Sequence, residues 1–457
     1  MRRVRACHPL LVGPAPGVFD ALHARAIDRA GTAQGPNLSS GALTIGGEPS
    51  NLPGLNEGIF YPREDMPPGR AALTPGVPGR RRPTTDAARC LILLVDFADN
   101  PGRRDPTEVR DMLFSEDAYP TGSMRDFYHE NSYGQLDVDG TVLGWLRMPH
   151  PYTYYVDGQR GLGAYPQNTQ TLVEDALGLA AQQVDVRQFD ADGDGYLDGL
   201  FVVHAGGGAE AEVDPSSRVQ KIWSHQWNLR HPIVSAGIGV YAYCATPEDG
   251  RIGVFCHEFG HMLGLPDLYD TTYRSSGVGQ WCVMGTGNWN DGGQAPAHFC
   301  AWAKARLGWL TPSVAAGALS LRLAAIEGDA TGAYRLWTAG TAGDEYYLIE
   351  NRQLIGFDRS LPGAGLLVWR IDEAQDDNTR PGRYLVGLEQ ADGRHDLELG
   401  RNTGDDGDPF PGRLRVTEFD AAHAPVFDPG RARSDGVSVT SIQIQSAGGV
   451  ITCRAAV

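Results

Sequence analysis

The chain has no stretch approaching the roughly 18 consecutive apolar residues that a membrane-spanning helix requires. It has no CxxC pair either. Its seven cysteines, Cys7, Cys90, Cys244, Cys256, Cys282, Cys300 and Cys453, lie far apart, which excludes a zinc ribbon and a disulfide-dense scaffold. There is no GxSxG elbow and no P-loop, so Ser-His-Asp hydrolysis and P-loop phosphate binding find no local support. Positive charge is scarce: 39 Lys and Arg against 56 Asp and Glu leave a formal net charge of −17, which argues against a nucleic-acid partner. After Arg2-Arg3-Val4-Arg5 the apolar run is broken by His8, Pro9, Gly13, Pro14 and Pro16, so no secretory signal is expected there.

What is present suits a soluble protein of two or three domains, since domains commonly run to roughly 100–200 residues. Residues 1–85 are rich in Gly, Pro, Ala and Arg, with one helical stretch around Val18–Ala30, and read as an irregular pro-segment or N-terminal arm. The run Cys90–Phe97 is short, apolar and branched, the pattern of a buried strand. Helical stretches at Thr107–Phe114, Ser123–Glu130 and Asn168–Gln183 then alternate with strands such as Leu200–His204, predicting a mixed α/β domain over 86–312. Beyond Pro312, short alternating runs (Leu319–Leu323, Tyr346–Glu350, Gly365–Arg370, Tyr384–Leu388, Ser438–Gln443) predict an all-β, sandwich-like domain over 313–457. The fold class expected is therefore α+β.

The chemistry is concentrated in Gly253–Asp270, which contains HExxH followed by a glycine. On a helix His257 and His261 fall one turn apart on one face, so both imidazoles can reach one zinc ion while Glu258 projects beside it. A catalytic zinc keeps one position for water, whose pKa falls toward ~7, and a neighbouring carboxylate can take the proton as that water attacks a carbonyl. Glu258 is the candidate base. The extended metzincin pattern ends in a third histidine, and here that position is Asp267, whose carboxylate is an acceptable ligand. Gly264 would let the chain leave the helix and bring Asp267 back under the metal; Asp270 and a downstream glutamate are the competitors. Trp281-Cys-Val-Met284-Gly285 reads as a methionine turn beneath the ligands, or as ordinary core. Thr286 stands where some metzincins offer a tyrosine, which leaves the oxyanion-stabilising group unassigned.

Together with Leu91–Phe97, Ser123–Gly140 (SMRDFYHENSYGQLDVDG), Asp190–Gly206, Ile222–Trp227 (IWSHQW), Trp281–Trp289 and Phe299–Leu310 (FCAWAKARLGWL), this segment resembles the M6 family of metallopeptidases, the immune inhibitor A-like enzymes. The likeness continues through Glu345–Arg352, Gly365–Asp372 and Gly404–Gly412 (GDDGDPFPG). It implies a secreted, zinc-dependent endopeptidase made as a proenzyme, with a metzincin-like catalytic domain, His257 and His261 as ligands, Glu258 as base, and proteins or peptides as substrates. The missing secretion signal is the departure.

Asp190, Asp192, Asp194 and Asp198, with Gly195 at the turn, match the first half of an EF-hand loop; position twelve is Phe201 rather than Glu, so the expectation is a Ca2+ loop completed from elsewhere. Asp405, Asp406 and Asp408 read as a solvated turn. Cys7 is a candidate zinc-blocking thiol, a frayed terminal residue being the plainer reading. His204, His225 and His298 read as hydrogen-bonded structural histidines. The function expected is Zn2+-dependent endoproteolysis by a zinc-bound water that Glu258 activates. The rivals are a non-enzymatic metal-binding or adhesion protein on the same fold, against which an intact Glu258 argues, and zinc hydrolysis of a non-peptide substrate.

Overall fold

The computed structural model describes residues 9–32, 86–420, 437–444 and 449–457. Cys7 lies outside them. Packing divides the chain into two units, one of residues 1–21, 31–129 and 136–266, the other of 22–30, 130–135 and 267–457. The expected boundary at 312 falls inside the second.

The first unit is built on a six-stranded sheet in the order β1-β5-β6-β4-β2-β3, from β1 (Leu10–Leu11), β2 (Asp86–Asp96), β3 (Leu136–Arg147), β4 (Gly199–His204), β5 (His225–Ser235) and β6 (Ile238–Pro247). β2 has parallel neighbours on both sides, and Cys90 through Val95 are completely buried, which is why that segment can be apolar without alternation. β4 and β6 are also parallel, whereas β5 runs antiparallel to β6 through a tight hairpin at Ala236-Gly237, both with positive φ (48° and 88°). Helix Thr169–Ala180, capped by the Asn168 side chain, places Leu172, Val173, Ala176 and Leu177 in one core with Leu91, Leu93, Val95, Leu200 and Val202.

The edge of this sheet is covered by the N-terminal segment. Leu10 and Leu11 pair antiparallel with Gln226 and His225, the Val12 amide bonds the Ser224 carbonyl (3.1 Å), and the Trp223 indole bonds the Val12 carbonyl (2.9 Å). The Ala15 amide then reaches the Glu210 carbonyl (2.9 Å).

The second unit carries a five-stranded sheet, β12-β11-β10-β9-β7, and a three-stranded one, β13-β14-β8. Their strands are β7 (Ser313–Ala315), β8 (Leu319–Leu323), β9 (Ala333–Trp337), β10 (Glu345–Arg352), β11 (Gly365–Asp372), β12 (Val386–Glu389), β13 (Ser438–Ile444) and β14 (Ile451–Ala456). Leu336, Ile349, Leu366 and Val368 of one sheet share a core with Leu323, Val439, Ile451 and Cys453 of the other, as facing layers of a sandwich do.

The buried Glu210 carboxyl yields a stability prediction. It accepts bonds from the Ser224 amide (3.0 Å) and hydroxyl (2.6 Å), yet burial pushes its pKa from 4.5 up to about 7. A raised acid pKa favours the folded state below 4.5 and withdraws that contribution as pH rises through about 7. Urea midpoints followed across this range should fall less steeply with pH in Glu210→Gln than in the wild type; parallel slopes would contradict the assignment.

Candidate metal centre

Helix Ile252–Met262 is buried along its whole length, polar residues included. Phe259 packs edge-on against Tyr128 (centroids 5.1 Å) and beside Phe201 of β4, while Phe255 meets the same Phe201 ring at 5.6 Å. Backbone groups are tied down as well: the Tyr128 hydroxyl donates to the Cys256 carbonyl (2.6 Å) and the Cys244 thiol to the Glu258 carbonyl (3.5 Å). These contacts fix the rotation of the helix about its axis.

The helix stops at a Schellman turn. Gly264 adopts φ 93°, its amide bonds the His261 carbonyl (2.8 Å), and the Leu265 amide reaches back to the Gly260 carbonyl (3.1 Å). That left-handed residue is what turns the chain toward Asp267. The next residue is fixed too, because the Leu268 amide bonds the carbonyl of Met284, itself fully buried.

Ligand atoms of His257, His261 and Asp267 lie within 4.8 Å of one another, and all three residues are buried. The two Nε2 atoms stand 3.0 Å apart with the rings nearly perpendicular (88°). The His261 Nδ1 lies 2.8 Å from the Leu265 carbonyl, so Nδ1 carries the proton and Nε2 presents its lone pair. Two imidazole nitrogens and one carboxylate oxygen, buried and converging, are a donor set that fits zinc with a position to spare. Asp270 is otherwise engaged. Its Oδ1 takes the Thr272 amide and hydroxyl and its Oδ2 the Ser275 hydroxyl (3.0 Å).

Of the four aspartates expected to bind calcium, Asp190, Asp192 and Asp194 come within 4.8 Å of one another. Asp198 is not among them. Its carboxylate instead accepts the Arg89 amide (2.8 Å) and the Ala191 amide (3.1 Å), tying the loop to β2, and burial raises its pKa to about 7. Gly195, at φ 88°, makes the sharp turn.

His225 bonds Thr169 (3.0 Å) and the Trp223 carbonyl (2.6 Å), and burial lowers its pKa to about 4; His204 is lowered likewise by burial. Both are neutral side chains of the core. His298 sits between Glu130 (2.6 Å) and Lys304 (3.0 Å), in a buried cluster that the linear sequence gives no sign of. At its centre Arg352 clasps Asp358 with two bonds of 2.6 Å and donates to the Trp281 carbonyl (3.1 Å), which steadies the turn leading to Met284. Such closure depends on Arg352 and Asp358 meeting across the β10–β11 connection, and no local spacing announces it.

A buried HExxH helix with a carboxylate turned back toward both imidazoles is the donor arrangement of a mononuclear metallopeptidase centre. The comparisons agree in class: the model of the immune inhibitor A peptidase M6 catalytic domain matches residues 82–310. The chain belongs to that family. The pre-pro-metalloprotease PrtV of Vibrio cholerae is 32% identical over a stretch covering 47% of this chain and 29% of the relative. Immune inhibitor A of Bacillus thuringiensis is 32% identical over 44% of this chain and 36% of the relative. The chain thus spans about a third of the length of the curated relatives it matches.

Gly264→Ala should strain the left-handed turn by about 1–2 kcal/mol. Because that turn aims Asp267, the variant should also lose zinc to a chelator faster than the wild type; chelator competition with a zinc-sensitive dye measures this, and equal loss rates would detach Gly264 from the site.

Proposed function

We propose that the chain is a zinc-dependent endopeptidase with a metzincin-like catalytic domain, in which His257, His261 and Asp267 hold the metal and Glu258 is the catalytic base. The observation that carries this reading is the convergence of Asp267 with the two imidazoles of a buried helix whose sequence puts Glu258 next to the first of them. When bound, zinc supplies Lewis acidity, polarising a carbonyl and lowering the pKa of water. The chain's own residues do the rest. Glu258, completely buried, holds its carboxylate in a place from which bulk water is excluded, so a proton it accepts is retained for delivery to the leaving amine. His261 is kept in one tautomer by the Leu265 carbonyl, and the Arg352 and Asp358 pair steadies the turn leading to Met284.

A substrate strand would bind by adding to the side of β5 away from β6 once that side is vacated, where backbone amides and carbonyls supply affinity whatever the side chains. That side is the one Leu10–Val12 takes up, which supports reading residues 1–85 as a pro-segment that covers a binding edge and makes the chain a zymogen. On the family likeness we read the protein as exported, and the Asp190, Asp192 and Asp194 loop as a Ca2+ site; Asp198 would brace that loop from behind rather than bind.

Two measurements test the proposal. After removal of the N-terminal segment, Glu258→Gln should keep its zinc and lose casein cleavage by at least about 10²–10⁴-fold, the usual worth of a general base. Zinc retained with activity intact would contradict the base, and zinc bound with no cleavage even in the trimmed wild type would favour a binding protein. Separately, Val12→Pro in the untrimmed chain, which removes the amide that bonds the Ser224 carbonyl, should raise basal cleavage of a short peptide; unchanged latency would separate the segment from inhibition.

A further inference from the structure

The loop following β12 gathers three carboxylates from residues 392–405. Asp392, Asp396 and Asp405 each offer an oxygen within 4.8 Å of the other two. The Asp392 side chain is only 1% exposed, and its Oδ2 is shielded from solvent with no hydrogen-bond donor; Arg394 Nε stands 3.9 Å away, beyond hydrogen-bond reach. A buried anionic oxygen without a donor is costly, so its presence asks for a cation. Gly407 packs against this oxygen: a Cβ there would lie 2.7 Å from Asp392 Oδ2 and 2.8 Å from Asp405 Oδ1, which accepts the Gly407 amide at 2.7 Å, so any side chain at 407 would press on both carboxylates.

Arginines approach from outside. Arg394 and Arg401 reach Asp396 at 3.2 and 3.4 Å, and Arg413 reaches Asp405 at 3.7 Å. All three are 41–62% exposed, so solvent screens them and they offset little of the charge at the buried Asp392 oxygen.

We infer that Asp392, Asp396 and Asp405 form a calcium site. The donors are all hard oxygens with no nitrogen or sulfur among them, which suits Ca2+ rather than zinc, and carbonyls and water would complete the six to eight positions it needs. The site has a purpose in the second unit. Its loop is bonded to the segment preceding Met284: the Ser276 amide to the Leu397 carbonyl (2.8 Å), the Gln280 amide to the Thr403 carbonyl (2.7 Å), and the Trp281 indole to Asp408 (3.0 Å), whose same oxygen accepts the Asp405 amide (2.9 Å). Calcium there fixes the loop and, through it, the methionine turn. This inference stands on the carboxylate geometry and does not depend on the chain being a peptidase.

Terbium is the probe, since it replaces calcium and is sensitised by a nearby indole, here Trp281. The full wild-type chain, Asp392→Asn, Gly407→Ala and, for the separate loop, Asp192→Asn are titrated with Tb3+ and with Ca2+ by calorimetry, each checked for native near-ultraviolet circular dichroism. Tryptophan-sensitised emission should persist in Asp192→Asn and vanish in Asp392→Asn. Gly407→Ala, which keeps every carboxylate, should weaken binding at that site at least about tenfold. Calcium should raise the melting temperature of the wild type more than that of Asp392→Asn. Full calcium stoichiometry and emission in both Asp392→Asn and Gly407→Ala would overturn the site. So would loss of all binding in Asp192→Asn alone.

Discussion

The structure turns on burying two imidazoles and two carboxylates around one helix that is otherwise wrapped in apolar side chains. Polar groups withdrawn from water must be matched or they cost more than the fold can spare. Here the matching is specific. His261 is oriented by a backbone carbonyl, the helix backbone is pinned by Tyr128 and Cys244, and the facing Nε2 atoms and the Asp267 carboxylate converge as a donor set that a bound metal would answer. The apolar wrapping also keeps these groups out of water, in a setting where electrostatic interactions among them are stronger than in bulk solvent.

How much of this is legible in the chain depends on how far apart the cooperating residues lie. His257 and His261 can be read directly, since a helical turn is a local rule, and Gly264 can be read because one left-handed residue is all that a Schellman turn asks. Asp267, just beyond, inherits its position from that turn. The calcium-like loop was half legible: alternation brings Asp190, Asp192 and Asp194 together, but Asp198 is diverted to the amides of Arg89 and Ala191, and β2 is not visible from the loop's own sequence. Buried strands announce themselves by composition, as β2 does. β5 is harder, because Pro232 and several polar residues interrupt it and its place at the sheet edge is settled by pairing with β6.

The least legible parts are those closed by the tertiary structure. Asp405 reads as part of a solvated turn until the fold sets Asp392 and Asp396 beside it, and nothing local joins Glu130 to His298 or Arg352 to Trp281. Yet these are the contacts that hold the turn at Met284, whose carbonyl in turn fixes the amide after Asp267. A motif that sequence alone reveals thus leans on supports that only the folded chain supplies. Buried ion pairs such as Arg352 with Asp358 add little net stability over apolar residues, and their use lies in allowing one arrangement of the turn.

The central claim is the identity of the three ligands. Anomalous scattering at the zinc edge from crystals of the chain tests it most directly: the account predicts one peak bonded to His257 Nε2, His261 Nε2 and an oxygen of Asp267, at about 2.0–2.2 Å. A peak closed by another carboxylate, or lying elsewhere, would contradict it.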